Sequence, residues 1–350
     1  MALSFLVAFF LLLEAVARKE FLNKISTRES LGIYPTPMGQ YFEIKWFGLQ
    51  KYCALNGGVD VILIGSSVVN TGINPDIVAE TYFKLTGTRL RIYNFGVEGL
   101  NIVPNSVYAK ILVQKYHPAL LLFGTIPRDY LASDNVDVNQ QFLPSPWIEF
   151  ESGEWNLAGY LIDHSVALRG YLPYRNWMRS DFLDTIYAND HRASRTSSSG
   201  YEPDHYIGTN LDQPPDPNSP DEQETFAKYR DFKIDPARLG NLQSILNLQK
   251  TGNTRVIVME MPLHTTFYDY IGGVSVYQEY QHEIASAVTA SGGLFFPSNG
   301  DPQIPANGRP DRVHLNQVGA PVLSTYLGTQ LATLTKNGGI QFTNTGQGGH

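Results

Sequence analysis

Val59-Asp60-Val61-Ile62-Leu63-Ile64-Gly65-Ser66-Ser67 is a largely apolar run that ends in Gly-x-Ser. Apolar runs of this length, interrupted here only by Asp60, are typical of strands that a parallel sheet buries on both faces. A Gly-x-Ser sequence directly after such a strand predicts a sharp turn into a helix. The Ser67 hydroxyl would then project from the carboxyl edge of a sheet, where open α/β folds bind their ligands.

Strand and helix signals alternate outward from this run. The predicted strands are Val59–Ile64, Arg89–Phe95, Pro118–Phe123, Arg255–Glu260 and Gly293–Phe296. The predicted helices are Pro75–Leu85, capped by Asn74, and Asn105–Tyr116, Pro236–Gln249, Val274–Ala290 and Asn316–Thr335. Such alternation favours a parallel sheet that is joined by right-handed crossovers and covered on both faces. We therefore predict the α/β class, as a three-layer α/β/α sandwich with a five-stranded parallel sheet of flavodoxin-like order.

The α/β domain is predicted to span residues 57–335, after a polar and aromatic connector at 26–56 and before a flexible tail at 336–350. Residues 130–235 are far too long for an ordinary connection between strands, so they are predicted to be an insertion. The first part of the insertion is rich in Trp and Tyr and is expected to form loops and short helices. Its second part, 192–224, is rich in Ser and Pro, and its low hydrophobicity predicts high mobility.

Residues 1–25 are predicted to be an N-terminal hydrophobic anchor or signal segment. Ala2 to Ala17 is apolar except for Ser4 and one charge, Glu14, and its sixteen residues are fewer than the roughly twenty that span a bilayer. Ala15-Val16-Ala17 resembles a signal-peptide cleavage site, whereas the basic Arg18 and Lys19 directly after it favour an uncleaved anchor. Both interpretations predict a chain that is exported or held at the membrane through this segment, in the cell envelope.

Composition excludes some classes of partner and site. The chain has 350 residues, 43% of them apolar, which is ample for a buried core. A formal net charge of −7, without a basic stretch interleaved with aromatic residues, gives no electrostatic basis for binding nucleic acid. The single cysteine, Cys53, excludes a disulfide within the chain and a cysteine-based zinc site.

A second polar motif, Asp311-Arg312-Val313-His314-Leu315-Asn316, lies just before the last predicted helix. A serine hydroxyl attacks an acyl carbon well only when an imidazole removes its proton and a carboxylate orients that imidazole. We predict Ser67 as nucleophile, His314 as general base and Asp311 as the orienting carboxylate. Ser67 and Asn316 would alternatively serve only as helix caps, which is a common role for both residue types.

The order Ser, Asp, His, with the last two only three positions apart, resembles the SGNH (GDSL-like) hydrolase family. Tyr93-Asn94-Phe95-Gly96-Val97-Glu98-Gly99 is similar to the block of that family whose glycine N–H contributes to the oxyanion hole, and Gly99 matches this donor. Two departures are evident. Ser66 stands where the family usually has Asp, and Gly124-Thr125-Ile126-Pro127-Arg128-Asp129 lacks the Asn that supplies a further donor. The resemblance implies an SGNH-like fold, oxyanion donors at the N–H groups of Ser67 and Gly99, and no cofactor or metal.

Three further residues are candidates near this site. Arg128 follows the position of the missing Asn and is predicted to compensate as an oxyanion donor. Alternatively, Arg128 and Asp129 form a surface ion pair or cap a helix. Asn101, next to the Gly99 block, and His264, after the fourth strand, are candidates for substrate binding because the carboxyl edge would bring them near the pocket. A loop histidine without a functional role is the alternative for His264.

These residues together predict a serine-dependent esterase or O-acyltransferase that acts on an O-acyl group, with acetyl expected, of a carbohydrate or similar ester. Hydrolysis and transfer differ only in whether water or a sugar hydroxyl accepts the acyl group, so both remain open. The absent Asn and the altered Ser66 also permit an inactive protein of the same fold that binds carbohydrate or assists the assembly of envelope polysaccharide. The expected partners are an acyl ester or carbohydrate substrate and a membrane.

Overall fold

The computed structural model describes residues 2–17, 29–33, 37–134, 142–175, 178, 190–297 and 302–342. The helices, in chain order, are α1 (Ala2–Ala17), α2 (Pro37–Asn56), α3 (Ser67–Gly72), α4 (Pro75–Thr86), α5 (Ile102–Tyr116), α6 (Pro146–Ser152), α7 (Leu157–His164), α8 (Val166–Tyr171), α9 (Pro220–Tyr229), α10 (Pro236–Thr251), α11 (Val274–Ala290) and α12 (Gly319–Lys336). Residues 18–25 of the predicted N-terminal segment, 135–141 and 179–189 of the predicted insertion, and 343–350 of the predicted tail lie outside the described residues.

The chain divides into two compact units, which differ from the predicted domains. Unit 1 comprises Met1–Phe47 and Asp137–Ser194, and unit 2 comprises Gly48–Val136 and Arg195–His350. The predicted insertion at 130–235 is thus divided between the units rather than forming one addition to a single domain.

Unit 2 contains a five-stranded parallel sheet, which confirms the predicted α/β class. The strands are β1 (Val61–Gly65), β2 (Ile92–Gly96), β3 (Leu120–Thr125), β4 (Arg255–Glu260) and β5 (Leu294–Phe296), in the spatial order β2-β1-β3-β4-β5. Every residue of β1, β2 and β3 is buried, as their apolar runs predicted. β1 pairs with β2 on one side and with β3 on the other. The strand order therefore reverses at β1, because β2 is added on one side of it and β3 to β5 are added on the other. This reversal creates the crevice at the carboxyl ends of strands where such folds bind ligands.

Helices cover this sheet. α4 packs against α12, α5 packs against α10, and α10 also contacts α11. The start of α4 follows the sequence prediction, because Asn74 precedes it and its side chain accepts the Asp76 N–H at 3.0 Å. The last helix begins at Gly319 rather than at the predicted Asn316. The Asn316 side chain accepts the N–H groups of Val318 and Gly319 at 2.9 and 3.2 Å, which places Asn316 in the turn before the helix.

Residues 37–56 of the predicted connector form α2. Phe42, Trp46 and Leu49 are buried at helical spacing along it, and this stripe explains the aromatic content that suggested a connector. The boundary between the two units falls within this helix.

Unit 1 is built around aromatic side chains. Trp46 packs edge-on against Trp147 with ring centroids 4.6 Å apart, and Phe42 packs edge-on against Phe142 at 5.1 Å. Both contacts join α2 to residues that follow 130, far along the chain. α6, α7 and α8 succeed one another here, and α8 contacts both α1 and α7. Among the described residues, no helix has both the length and the apolar character needed to cross a membrane.

Two polar segments of unit 2 make specific contacts that their composition did not predict. In the Ser-rich segment, the Ser199 carbonyl accepts the Asn94 N–H of β2 at 2.8 Å, and Glu202 is buried. In the predicted tail, Ile340 is buried, and Phe342 packs edge-on against Tyr82 with centroids 5.8 Å apart. The mobility predicted for residues 192–224 stays a prediction.

Candidate active site

Ser67 lies at the carboxyl end of β1, where the chain turns directly into α3. Gly65 has φ +149°, and a Cβ there would lie 2.6 Å from the Gly124 carbonyl oxygen of the neighbouring strand. Only glycine fits this position, which explains the first residue of the Gly-x-Ser sequence. Ser67 is the first residue of α3, so its backbone N–H has no carbonyl partner within the helix. The residue is only 8% exposed.

The structure brings Ser67, His314 and Asp311 together into one hydrogen-bonded chain. The Ser67 Oγ lies 2.8 Å from the His314 Nε2, and the His314 Nδ1 lies 2.8 Å from the Asp311 Oδ2. When Nδ1 carries the ring proton and donates it to the carboxylate, Nε2 is left as an acceptor for the serine hydroxyl. This is the geometry that proton removal from a serine requires.

Backbone N–H groups of its own loop fix the position of the Asp311 carboxylate. Its Oδ1 accepts the backbone N–H groups of Val313 and His314, each at 2.7 Å. Burial raises the pKa of Asp311, but the hydrogen bond and charge of His314 and these two N–H groups outweigh burial and lower it to about 2. The carboxylate is therefore ionised throughout the neutral range and can stabilise a protonated imidazole.

Gly99, the second proposed oxyanion donor, follows β2 with φ +79°, a conformation that favours glycine. It lies in the turn between β2 and Asn101, the cap of α5. β2 pairs with β1 in parallel register, Gly96 opposite Gly65, so the Gly99 turn and Ser67 follow neighbouring strands at the same edge of the sheet. Its role as a donor stays a prediction.

Arg128 is paired with a buried carboxylate. Its Nε lies 3.8 Å from the Asp134 Oδ2, and the completely buried Asp134 side chain is also paired with Lys228. Within the described residues, the Arg128 guanidinium forms no hydrogen bond with Ser67, His314 or Asp311, and its Nε and Nη2 are buried without a hydrogen-bond partner. Asp129 instead caps the short 3₁₀ helix after β3, since its Oδ2 accepts the Ile126 N–H at 3.0 Å. Asp129 therefore has the alternative role of a helix cap, whereas Arg128 forms its ion pair with Asp134 and not with Asp129.

The Asn101 side chain caps a helix in this structure, and its role in substrate binding stays a prediction. It is completely buried, its Oδ1 accepts the Val103 N–H at 3.1 Å, and its Nδ2 donates to the Asp134 carbonyl at 2.8 Å. The side chain thus caps α5 and fixes the loop that carries Asp134. Sequence alone could not separate these roles, because an Asn before a helix serves as a cap as readily as it binds a ligand.

His264 forms a second histidine–carboxylate pair beside the loop of Asp311 and His314. Its Nε2 lies 3.3 Å from the Asp212 Oδ1, and its backbone N–H donates to the Arg312 carbonyl at 2.9 Å. Burial, followed by the charge of Arg309, lowers the pKa of His264. Its ring is therefore neutral at neutral pH. The structure places it next to the loop but does not test substrate binding.

Asn94 and Arg312 position the site, and the sequence reasoning assigned neither a role. Asn94 is completely buried within β2, and its Nδ2 donates to the carbonyls of Val69, within α3, and of Ile73, the residue after α3, each at 2.7 Å. It thereby fixes the helix that begins with Ser67. The only sequence signal was an amide within an otherwise apolar strand.

Arg312 fixes the loop of Asp311 and His314 from the other side. Its Nη1 donates to the Glu222 Oε1 at 2.9 Å, its Nε to the Thr266 Oγ1 at 3.1 Å and its Nη2 to the Gln213 carbonyl at 3.0 Å. A guanidinium fork is suited to bridging three groups in this way. Its partners are 46 to 99 positions away along the chain, so the sequence contains no local signal for these contacts.

No protein-family model matches the chain, and no curated protein sequence matches it either. Among solved structures, a candidate acylhydrolase from Bacteroides fragilis is similar over 83% of this chain and 98% of its own, with 13% identity and a TM-score of 0.36. A gut microbial diltiazem-metabolizing enzyme is similar over 79% of this chain and 47% of its own, with 12% identity and a TM-score of 0.35. At TM-scores under 0.5, these similarities establish neither an activity nor a substrate for this chain.

Proposed function

We propose that this protein is an SGNH-type esterase or O-acyltransferase that cleaves or transfers an O-acyl group, specifically acetyl, on a carbohydrate or similar ester. The observation that carries the proposal is the continuous chain of 2.8 Å contacts from the Ser67 Oγ through the His314 ring to Asp311. Its position after β1 in a parallel sheet supports the same conclusion, because this edge is where α/β folds bind substrates.

The reaction proceeds in two steps. His314 Nε2 takes the hydroxyl proton as the Ser67 Oγ bonds to the acyl carbon, and the carbonyl electron pair moves onto its oxygen. The N–H groups of Ser67 and Gly99 stabilise that oxyanion. When the tetrahedral intermediate collapses, the ester C–O bond breaks and His314 returns the proton to the departing sugar oxygen. Water or a sugar hydroxyl then attacks the acyl-enzyme with His314 again as base, which restores the serine.

Arg128 belongs to this proposal as an electrostatic contributor that offsets the missing Asn. Its guanidinium retains two buried N–H-bearing nitrogens without a hydrogen-bond partner, which supports a role toward a developing negative charge. We further propose that the enzyme acts at the cell envelope, exported or held at the membrane through residues 1–25. The apolar α1 supports this location.

The test uses the full chain, 4-nitrophenyl acetate and a fluorophosphonate probe. We expect the hydrolysis rate to fall at least a thousandfold in Ser67→Ala, and the wild-type protein to gain the probe mass on the peptide containing Ser67. Ser66→Ala is the matched control, because its hydroxyl is buried without a partner, and it should retain hydrolysis and labelling. Addition of an oligosaccharide acceptor then separates transfer from hydrolysis. A protein that is folded, unlabelled and inactive on the ester would overturn the proposal.

A further inference from the structure

Unit 1 exposes many large apolar side chains, several of them on α1. On α1, every described side chain from Phe5 to Val16 is exposed except Glu14, with Phe5 at 73% and both Leu11 and Leu12 at 61%. Contiguous apolar patches of this kind mark contact sites for proteins or membranes.

Glu14, the one charged residue of α1, faces the rest of unit 1. Its carboxylate accepts the Val166 N–H at 3.0 Å, the Ala167 N–H at 3.2 Å and the Ser165 hydroxyl at 2.8 Å. These N–H groups open α8, where a carboxylate is favoured by the helix dipole. α1 is therefore attached to the folded unit through its charge, and this charge is withdrawn from its outer surface.

A second group of exposed apolar side chains lies on α7, on the residues just before it, and at the end of α8 and just after it. We define it as the aromatic surface, formed by exposed Trp155, Leu157, Tyr160, Leu161, Tyr171 and Tyr174. α7 presents Leu157, Tyr160 and Leu161 outward while burying Gly159 and Ile162. A Cβ on Gly159 would lie 2.0 Å from the Pro146 carbonyl oxygen, so α7 is fixed closely against α6. The exposed face of α7 is thus set by packing, and the helix has no room to turn these side chains inward.

The composition of the two surfaces identifies a lipid bilayer as their partner. Trp and Tyr are the residues enriched where a membrane meets water, because each has an apolar ring and a polar atom. Helices that lie in this interface combine Phe and Leu on the buried face with neighbouring basic residues. The sequence after α1 supplies four such residues, Arg18, Lys19, Lys24 and Arg28, against one acid, Glu20, and a segment of net positive charge favours anionic headgroups.

We propose that unit 1 is a monotopic membrane-binding module that inserts both α1 and the aromatic surface into the interfacial layer of an anionic bilayer. The contact of α8 with both α1 and α7 makes the two surfaces parts of one structural unit. This inference extends the proposed attachment from one segment to a folded surface, and it does not depend on the chemistry of Ser67.

The test is flotation of the full chain with vesicles of phosphatidylcholine and phosphatidylglycerol. We expect the double variant Leu157→Ser and Leu161→Ser to lower vesicle partitioning about tenfold or more, because each leucine loses its insertion into the apolar layer. Leu55→Ser is the matched control, since Leu55 is 74% exposed but belongs to unit 2, and it should partition as the wild type does. Brominated lipids should quench tryptophan fluorescence in the wild type, and Trp155→Phe should reduce that quenching.

Two results would overturn the inference. One is unchanged partitioning of the double variant together with no lipid quenching of Trp155, which would restrict attachment to α1. The other is a double variant that loses self-association in sedimentation without any change in flotation, which would make the aromatic surface a contact between copies. Hydrolysis of the soluble ester, measured without vesicles, should be equal in all these variants, so failure of the membrane inference and failure of the esterase proposal are distinguished.

Discussion

Asp311 is the member of the proposed triad whose chemistry is easiest to isolate by substitution. Its pKa of about 2 keeps it ionised from pH 4 to pH 9, and an amide cannot stabilise the protonated imidazole. We expect Asp311→Asn to lower kcat by about a hundredfold to ten-thousandfold at every pH in this range, measured on the chromogenic ester. Because the pKa is lowered, its stabilisation of the fold is complete above pH 4 and declines only as the pH falls from about 4 to about 2.

Asp212→Asn is the matched control for this prediction. Asp212 also pairs with a histidine, His264, but at 3.3 Å and with a side chain that is 91% exposed. We expect kcat of this variant to equal that of the wild type. Equal losses in the two variants, or recovery of the Asp311→Asn variant at high pH, would contradict the assignment of Asp311 as the orienting carboxylate.

The location of a site residue could be predicted from the sequence where it depends only on the order of strands and helices along the chain. Ser67 follows β1, and Asp311 and His314 precede the last helix, so a parallel sheet is enough to place their segments at one edge. The role of Asn94 was not predictable, because its partners lie in α3 and directly after it, and three-dimensional packing brings them to Asn94. Asn101 was assigned to substrate binding for the same reason, since only the structure reveals Val103 and Asp134 as its partners.

At the level of elements, α3 depends on Asn94 for its position. Asn94→Ala would leave the buried carbonyls of Val69 and Ile73 without this donor and the Gly96 N–H without its 2.9 Å acceptor. We expect a loss of about 2–4 kcal/mol in the free energy of unfolding, measured by urea denaturation, and a lower kcat because Ser67 shifts with α3. Asn74→Ala, which removes only the cap of α4, should cost about 1 kcal/mol and preserve kcat. Identical kinetics in the two variants would argue against positioning by Asn94.

The loop of Asp311 and His314 depends on Arg312 in a comparable way. Lysine keeps the charge of Arg312 but cannot reach Glu222, Thr266 and the Gln213 carbonyl simultaneously. We expect Arg312→Lys to lower kcat about tenfold with little change in KM, since the triad is displaced while the substrate surface is retained. Arg230→Lys is the control, because Arg230 is exposed and is without an ion pair among the described residues. A change in KM alone would show that Arg312 contacts substrate rather than positioning the loop.

Elements were predicted well where periodicity and caps agree. β4 and α11 match their predicted bounds, and α4 begins at its predicted cap. α2 was missed because its aromatic stripe was interpreted as part of a connector, although the spacing of Phe42, Trp46 and Leu49 is helical. The start of the last helix was predicted three residues early, since a residue that caps a helix from the preceding turn looks the same in sequence as its first residue.

At the scale of the whole molecule, the division into two units was beyond the reach of the sequence. The aromatic residues after 130 suggested an insertion attached to one domain, whereas Phe142 and Trp147 pack with Phe42 and Trp46 instead. Nothing in the linear pattern pairs residues about a hundred positions apart. The remainder of the predicted insertion, residues 130–136 and 195–235, belongs to unit 2.

Each unit also contains an acid whose charged form is disfavoured by burial. In unit 1, burial raises the pKa of Glu43 to about 7, although the Ser30 hydroxyl and Leu31 N–H donate to its carboxylate at 2.8 Å each. In unit 2, burial raises the pKa of Asp129 to about 6, although Arg128 and the Ile126 N–H oppose the shift. A raised pKa means that the folded state retains the proton, so stability from each acid is lost as pH rises through its folded pKa.

Hydrogen exchange of backbone amides at pH 5 and pH 8, corrected for intrinsic rates, should therefore measure the pH-dependent loss of stability near Glu43 and near Asp129 separately. Asp129→Asn imitates the protonated acid, and we expect it to reduce the pH-dependent loss of stability near β3 by about 3 kcal/mol or less, with no effect around Glu43. Glu43→Gln should do the reverse, flattening the pH response between about pH 4.5 and pH 7 around residues 30–47 only. Each variant is the control for the other. If either substitution reduced the pH dependence of stability in both regions, or in neither, burial of these two carboxyl groups would not be the cause of the lower stability at higher pH.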